Sequence, residues 1–113
     1  MRYALFVCAD ENVELSEDQV QERMAAFLGW QAEVEARGAL VTLQRLQPTS
    51  TATKVRKRDG GLVVADGPFA ETREQIAGFY VLECEDLDEA LEFAARNPAA
   101  EFGTIEVRPV WVA

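Results

Sequence analysis

The 113-residue chain contains no histidine and only two cysteines, Cys8 and Cys84, far apart in sequence. Without an imidazole, neither a catalytic Cys–His pair nor a closed zinc site of the usual Cys/His kind can be assembled within one chain, so no metal is expected and no cofactor is implied. The cysteines form no Cys-x-x-Cys pair, and each sits inside an apolar run, where a free thiol packs as a small hydrophobe. Basic residues are also scarce, with 11 Lys and Arg against 20 Asp and Glu, a formal net charge of −9. That sign repels nucleic-acid phosphates and anionic membrane surfaces, so neither is an expected partner. The N-terminal apolar run ends at Ala9, too short to span a membrane, and no signal-peptide layout follows it; a cytoplasmic protein is expected. There are no repeats, low-complexity segments or linkers. With 49% apolar residues at this length, a single folded domain over residues 1–113 is expected.

From Tyr3 to Cys8 every residue is apolar, so both alternating sets, Tyr3, Leu5, Val7 and Ala4, Phe6, Cys8, call for burial in the middle of a sheet. Ser16, three residues before Gln19, reads as a capping box that opens a helix, and Gly38 stands where that helix should stop. Val20, Met24, Phe27, Leu28, Gln31 and Val34 recur at helical spacing and predict its buried stripe, with Trp30 at the margin as boundary core. Ala39 to Leu46 reads as a second strand, with Val41 and Leu43 on one face and Thr42 and Gln44 on the other. Thr53 to Arg58 and Leu62 to Ala65 are joined by Asp59-Gly60-Gly61, a hairpin signal. The run Lys54 to Arg58 is basic, the pattern of a nucleic-acid patch but also of an edge strand charged against aggregation, and the second reading is preferred here. Gly78 to Cys84 is a further strand. Asp86, with Glu89 as its capping partner, opens a second helix with Leu87, Ala90, Leu91 and Ala94 as its buried face, ended by Asn97-Pro98. Thr104 to Val112 closes the chain as a strand with Ile105 and Val107 inward.

Between the apolar strands Leu62–Ala65 and Ala77–Cys84 stands Asp66-Gly67-Pro68-Phe69-Ala70-Glu71-Thr72. Pro68 fixes φ, Gly67 reaches angles closed to other residues, and Asp66 can bond the backbone two residues on, so a stiff loop presenting Phe69, Glu71 and Thr72 is predicted. Together with Gly78-Phe79-Tyr80 and Asp86-Leu87-Asp88-Glu89-Ala90-Leu91, this motif resembles the DGPF branch of the YCII-related family. The resemblance implies a dimeric α+β barrel. It also implies a regulatory partner, since DGPF-type proteins are similar to those encoded beside, or fused to, extracytoplasmic-function sigma factors. The His–Asp pair taken as a catalytic dyad in the YCII branch has no counterpart here, because the chain has no His.

The element order resembles an α+β, ferredoxin-like βαββαβ sandwich with an extra β-hairpin. Two helices cover only one face of such a sheet, so the other face predicts a homodimer packed sheet to sheet, with Thr42, Gln44, Glu106 and Arg108 adding polar groups to it. Asp66 is the candidate catalytic residue, a carboxylate on a tight turn able to act as general acid or base, or simply to cap its own turn. Gly67, Pro68, Phe69, Glu71, Thr72, Arg73 and Tyr80 are candidate ligand-binding residues, with Phe69 and Tyr80 as apolar walls. Thr72 also reads as the N-cap of a short turn ending at Gln75, and Arg73 as either an anion-binding fork or a surface ion pair. A small-molecule site beside this loop and a non-enzymatic interaction module are the two function classes that remain.

Overall fold

The computed structural model describes residues 1–112. The elements run β1 (Arg2–Ala9), α1 (Glu17–Ala36), β2 (Leu40–Arg45), a 3-10 turn at Thr49–Thr51, β3 (Thr53–Arg58), β4 (Gly61–Asp66), β5 (Gln75–Glu83), α2 (Leu87–Arg96), α3 (Ala99–Phe102) and β6 (Thr104–Pro109). Apolar on both faces, β1 takes a central place, pairing antiparallel with β5 on one side and β6 on the other, and β2 extends the sheet from β5 in the order β2-β5-β1-β6. This is the ferredoxin-like α+β fold, and β3 and β4 form the extra hairpin as a separate two-stranded ribbon.

Local signals set the helix starts. Ser16 Oγ accepts from the Gln19 N–H at 3.2 Å while Gln19 Oε1 accepts from the Ser16 N–H at 2.9 Å, the predicted capping box. Asp86 Oδ1 accepts from the Glu89 N–H at 2.9 Å; the Glu89 carboxylate accepts from the Glu85 N–H, one residue before the expected partner. The buried stripes differ from those predicted. In α1, Val20, Met24 and Leu28 are exposed and the helix is turned so that Trp30 and Val34 face the sheet. In α2, Leu87 and Leu91 are exposed, and Phe93 joins Ala90 and Ala94 in the core. One bond joins the two helices at the place where both depart. The Trp30 indole Nε1–H donates to the Phe93 carbonyl at 2.9 Å, and burying this large ring with its N–H satisfied outweighs the burial of thinner side chains on the neighbouring ridge.

Pairing register divides the sheet into two faces. Tyr3 and Leu5 oppose Leu82 and Tyr80 on β5, and Leu5 and Val7 oppose Val107 and Ile105 on β6, all on the helix-covered side. There Leu5, Val34, Leu82, Ala90 and Phe93 form the core. Ala4, Phe6, Phe79 and Val81 lie on the other side, flanked by Thr42 and Gln44 from β2 and by Glu106 and Arg108 from β6. Among the described residues, no helix covers this open face. Helix α3, absent from the sequence reading, turns the chain sharply into β6 at Gly103, where a Cβ would overlap the Cys8 carbonyl oxygen.

The hairpin turns at Asp59 (φ 52°) and Gly60 (φ 75°), the two left-handed residues that a two-residue hairpin turn requires. It projects from the body. The radius of gyration is 16.1 Å, against about 13 Å for a compact chain of this length. The extents of 49 × 44 × 18 Å describe a plate one sheet and one helix layer thick. Among the described residues, no helix is long and apolar enough to cross a membrane.

Candidate functional site

The loop after β4 is held by its own hydrogen bonds. Gly67, at φ 102°, donates its N–H to the Ala52 carbonyl at 2.8 Å, anchoring the turn to the start of β3. The Gln75 carboxamide donates to the carbonyls of Ala70 and Thr72 at 3.0 and 3.1 Å, and the Thr72 hydroxyl donates to the Glu74 carbonyl at 2.6 Å. The helical turn expected from Thr72 to Gln75 does not form. Both side chains bond inside the loop, so the local donors that would have capped a helix are spent on closing a non-helical bend.

Opposite this loop, Glu11 grips the 3-10 turn, accepting from the Thr49 N–H at 2.8 Å and from the Thr49 hydroxyl at 2.5 Å. The two walls enclose a polar cleft of about 520 Å³, lined by Glu11, Asn12, Pro48, Thr49 and Ser50 on one side and Gly67, Pro68, Glu71, Thr72, Arg73 and Gln75 on the other. The Arg73 side chain is 90% exposed, with Nε 3.6 Å from Asp10 Oδ2. Lys54 Nζ lies beside Gly67, 3.9 Å from the place of a Cβ there.

Five of the eight candidate site residues therefore come together: Gly67, Pro68, Glu71, Thr72 and Arg73. Asp66 is exposed at the end of β4, opposite Thr53, outside the cleft lining. Phe69 is 85% exposed. Tyr80 does not wall the cleft, because its register opposite Leu5 turns it to the helix side, where it packs edge-on against Trp30 with centroids 4.7 Å apart. Glu11 and Thr49, separated by 38 residues, were not anticipated; a carboxylate and a hydroxyl in two polar connectors give no pairing signal.

Burial accounts for most of the altered acidities. It raises the Cys84 thiol to about 11, with the Glu89 carboxylate adding to it. Cys8, half-buried on the open face, is raised by burial and then by Glu106 and Glu74. Tyr80 is raised by burial, and the Asn97 carboxamide pulls it part of the way back. That carboxamide sits close to the phenol without meeting hydrogen-bond geometry at Nδ2, while its Oδ1 accepts from the Ala99 N–H at 2.9 Å. Glu83 is lowered chiefly by its hydrogen bond to the N-terminal ammonium, 2.9 Å away. None of these four groups lines the cleft.

A ferredoxin-like α+β domain with a polar cleft at the root of a projecting hairpin is the class that fold and site define. The chain belongs to the YCII-related domain family, which matches residues 1–113. An uncharacterised protein of Rhizobium meliloti (strain 1021) is 40% identical over 114 residues, covering 97% of this chain and 92% of its own length. Among solved structures, the chain is similar to 5-chloro-2-hydroxyhydroquinone dehydrochlorinase from Burkholderia phenoliruptrix AC1100, in complex with 2,5-dihydroxybenzoquinone. The TM-score is 0.61 with 13% identity, covering 100% of this chain and 96% of that one, a likeness of fold.

Proposed function

We propose that this protein is a homodimer that binds a small polar organic molecule in the cleft between the Thr49 turn and the loop at Gly67–Gln75. The cleft itself carries the reading. Its volume of about 520 Å³ falls within the ~300–1,000 Å³ usual for small-molecule sites, and hydrogen bonds brace both walls, on one side joining Glu11 to Thr49 across 38 residues and on the other closing the loop on itself. Glu11 is occupied by Thr49, so it serves as a brace. Arg73, whose ion-pair partner among the described residues is the long contact to Asp10, is the group available to pair with an anionic or ionisable hydroxyl on the ligand. Asp66 stands outside the lining, so binding, more than acid–base chemistry, is the activity this geometry supports. A dehydrochlorinase of the same fold carrying a small hydroxylated ring lends support to that ligand class.

The dimer reading rests on the open face. A plate 18 Å thick leaves Phe6, Phe79 and Val81 without a covering layer, and a second copy stacked sheet to sheet supplies one. Titration calorimetry with 2,5-dihydroxybenzoquinone as the first probe tests the site. Saturable binding weakened at least tenfold by Arg73→Ala is expected; undiminished binding by the variant, or none by the wild type across a panel of hydroxylated and carboxylated rings, overturns it. Light scattering at micromolar concentration should give twice the chain mass, and a monomer overturns the dimer.

A further inference from the structure

The β3–β4 hairpin has two chemically different faces. Its register pairs Val55 with Val64 and Lys57 with Leu62, so these four side chains share one face, while Arg56, Val63 and Lys54 share the other. Val55, Leu62 and Val64 are 63, 64 and 59% exposed, an apolar strip that the described residues leave largely open to solvent. An isolated two-stranded hairpin is marginally stable in water, and an exposed apolar ribbon invites a partner surface.

Charge identifies the partner. Lys54, Arg56, Lys57 and Arg58 are four of the chain's 11 basic residues, and only Asp59 and Asp66 of its 20 acidic ones fall in the hairpin, so the rest of the chain holds 18 acidic against 7 basic residues. The surface most complementary to this ribbon is therefore the body of another copy. At the open face, Glu106 lies opposite Phe6, and Glu74 Oε1 accepts from the hydroxyl of Thr104, the residue opposite Cys8. Both carboxylates are near enough to Cys8 to hinder its ionisation. Covering that edge in a sheet-to-sheet dimer desolvates these carboxylates, which is costly unless a cation arrives with the covering surface. Among the described residues of the same chain, the cation that approaches is Arg108, 3.9 Å from Glu106.

We infer that the hairpin is an exchanged arm: its Val55–Leu62–Val64 face docks on the open sheet of the second copy, placing Lys57 among the carboxylates of Glu74 and Glu106 of the partner subunit. This rests on the dimer proposed above and adds that each chain reaches across to cover the other. The lysines make the test direct, because Lys54 and Lys57 are the chain's only two. Lys54 lies beside Gly67 of its own chain and serves as an internal reference.

The experiment uses equal amounts of unlabelled and heavy-nitrogen-labelled full-length protein, exchanged, treated with a carbodiimide that joins amines to touching carboxylates, and read by mass spectrometry. Links from Lys57 to Glu74 or Glu106 in mixed-isotope pairs are expected. A dimer by light scattering with Lys57 linked only within one chain, or unlinked, overturns the arm and leaves the dimer standing; a monomer overturns both. The Val64→Glu variant adds a second reading, since its site is solvent-exposed in the single chain and folding should be unchanged by circular dichroism. Its dimer dissociation constant should rise at least tenfold, and an unchanged value overturns the arm.

Discussion

The two faces of the central sheet draw on the same strands, and β1 is apolar on both, yet one face is finished within the chain and the other is not. On the helix side, Tyr3, Leu5 and Leu82 meet Trp30, Val34 and Phe93, and each is at most 4% exposed. On the open side, Phe6 and Phe79 face each other across β1 and β5 with no layer above them, and the arm adds Val55, Leu62 and Val64 to the uncovered set. Apolar content alone therefore does not locate a core. What separates the faces is whether a helix of the same chain can reach them, and α1 and α2 are both on one side because the right-handed crossovers of this fold put them there.

The largest effect expected from this contrast lies at Phe93. Fully buried, and carrying the carbonyl that accepts the Trp30 indole, it should cost about 3–5 kcal/mol of folding stability when changed to Ala, measured by urea denaturation. Phe79→Ala on the open face should cost the isolated chain well under half of that while raising the dimer dissociation constant. Equal losses in folding stability at the two positions would erase the distinction between the faces.

Next in size is an alkaline effect that separates the two thiols. Folding raises Cys84 to about 11, so the unfolded chain gives up that proton first; stability is intact below pH 9 and falls as pH rises toward 11. Tyr80, raised in the same direction, adds to the loss at higher pH. Cys8, half-buried on the open face, should be alkylated well before Cys84, which is 3% exposed. A denaturation series from pH 8 to 11 on the wild type and Cys84→Ala checks the first point, because the variant should lose much of the slope. At the acid end, Glu83 works oppositely: its lowered value means that the contribution of its pair with the N-terminus is present at neutral pH and fades as pH falls through the carboxylate range.

A smaller loss, about 1 kcal/mol, is expected for Asp86→Ala, which removes the side-chain acceptor for the Glu89 N–H at the start of α2. The cap was legible in the sequence because its partners lie three residues apart, and the same is true of Ser16 with Gln19 and of the Asp59-Gly60 turn. The central place of β1 was legible too, since only a doubly flanked strand carries apolar residues on both faces. Rotation of α1 was not: Val20, Met24 and Leu28 are as apolar as Phe27, Trp30 and Val34, and the choice between ridges depends on the carbonyl of Phe93, 63 residues away. The loop of the site was visible as a stiff segment, but its facing wall was not. Tyr80 was assigned to the wrong surroundings because its side of the sheet follows from the pairing of β5 with β1, which sets it opposite Leu5, a residue with no local link to it in sequence.

The smallest stability effect should come from the site loop, and there the contrast between regions is sharpest. Phe69 is 85% exposed, so Phe69→Ala removes almost no buried surface and should change folding stability by no more than about 0.5 kcal/mol, against the several lost at Phe93 for the same chemical change. Asp66→Asn, also at an exposed position, should be similarly mild. A stiff loop that keeps an aromatic ring in water contributes little to the fold of one chain, so its sequence is expected to answer to what it meets. If Phe69→Ala lowers affinity for the cleft ligand while leaving the denaturation midpoint unchanged, the ring is part of a recognition surface beside Pro68 and Arg73. A stability loss as large as that of Phe93→Ala would instead place Phe69 in a core formed on dimerisation, and comparing the midpoint across protein concentrations separates the two, since only the second makes the loss depend on concentration.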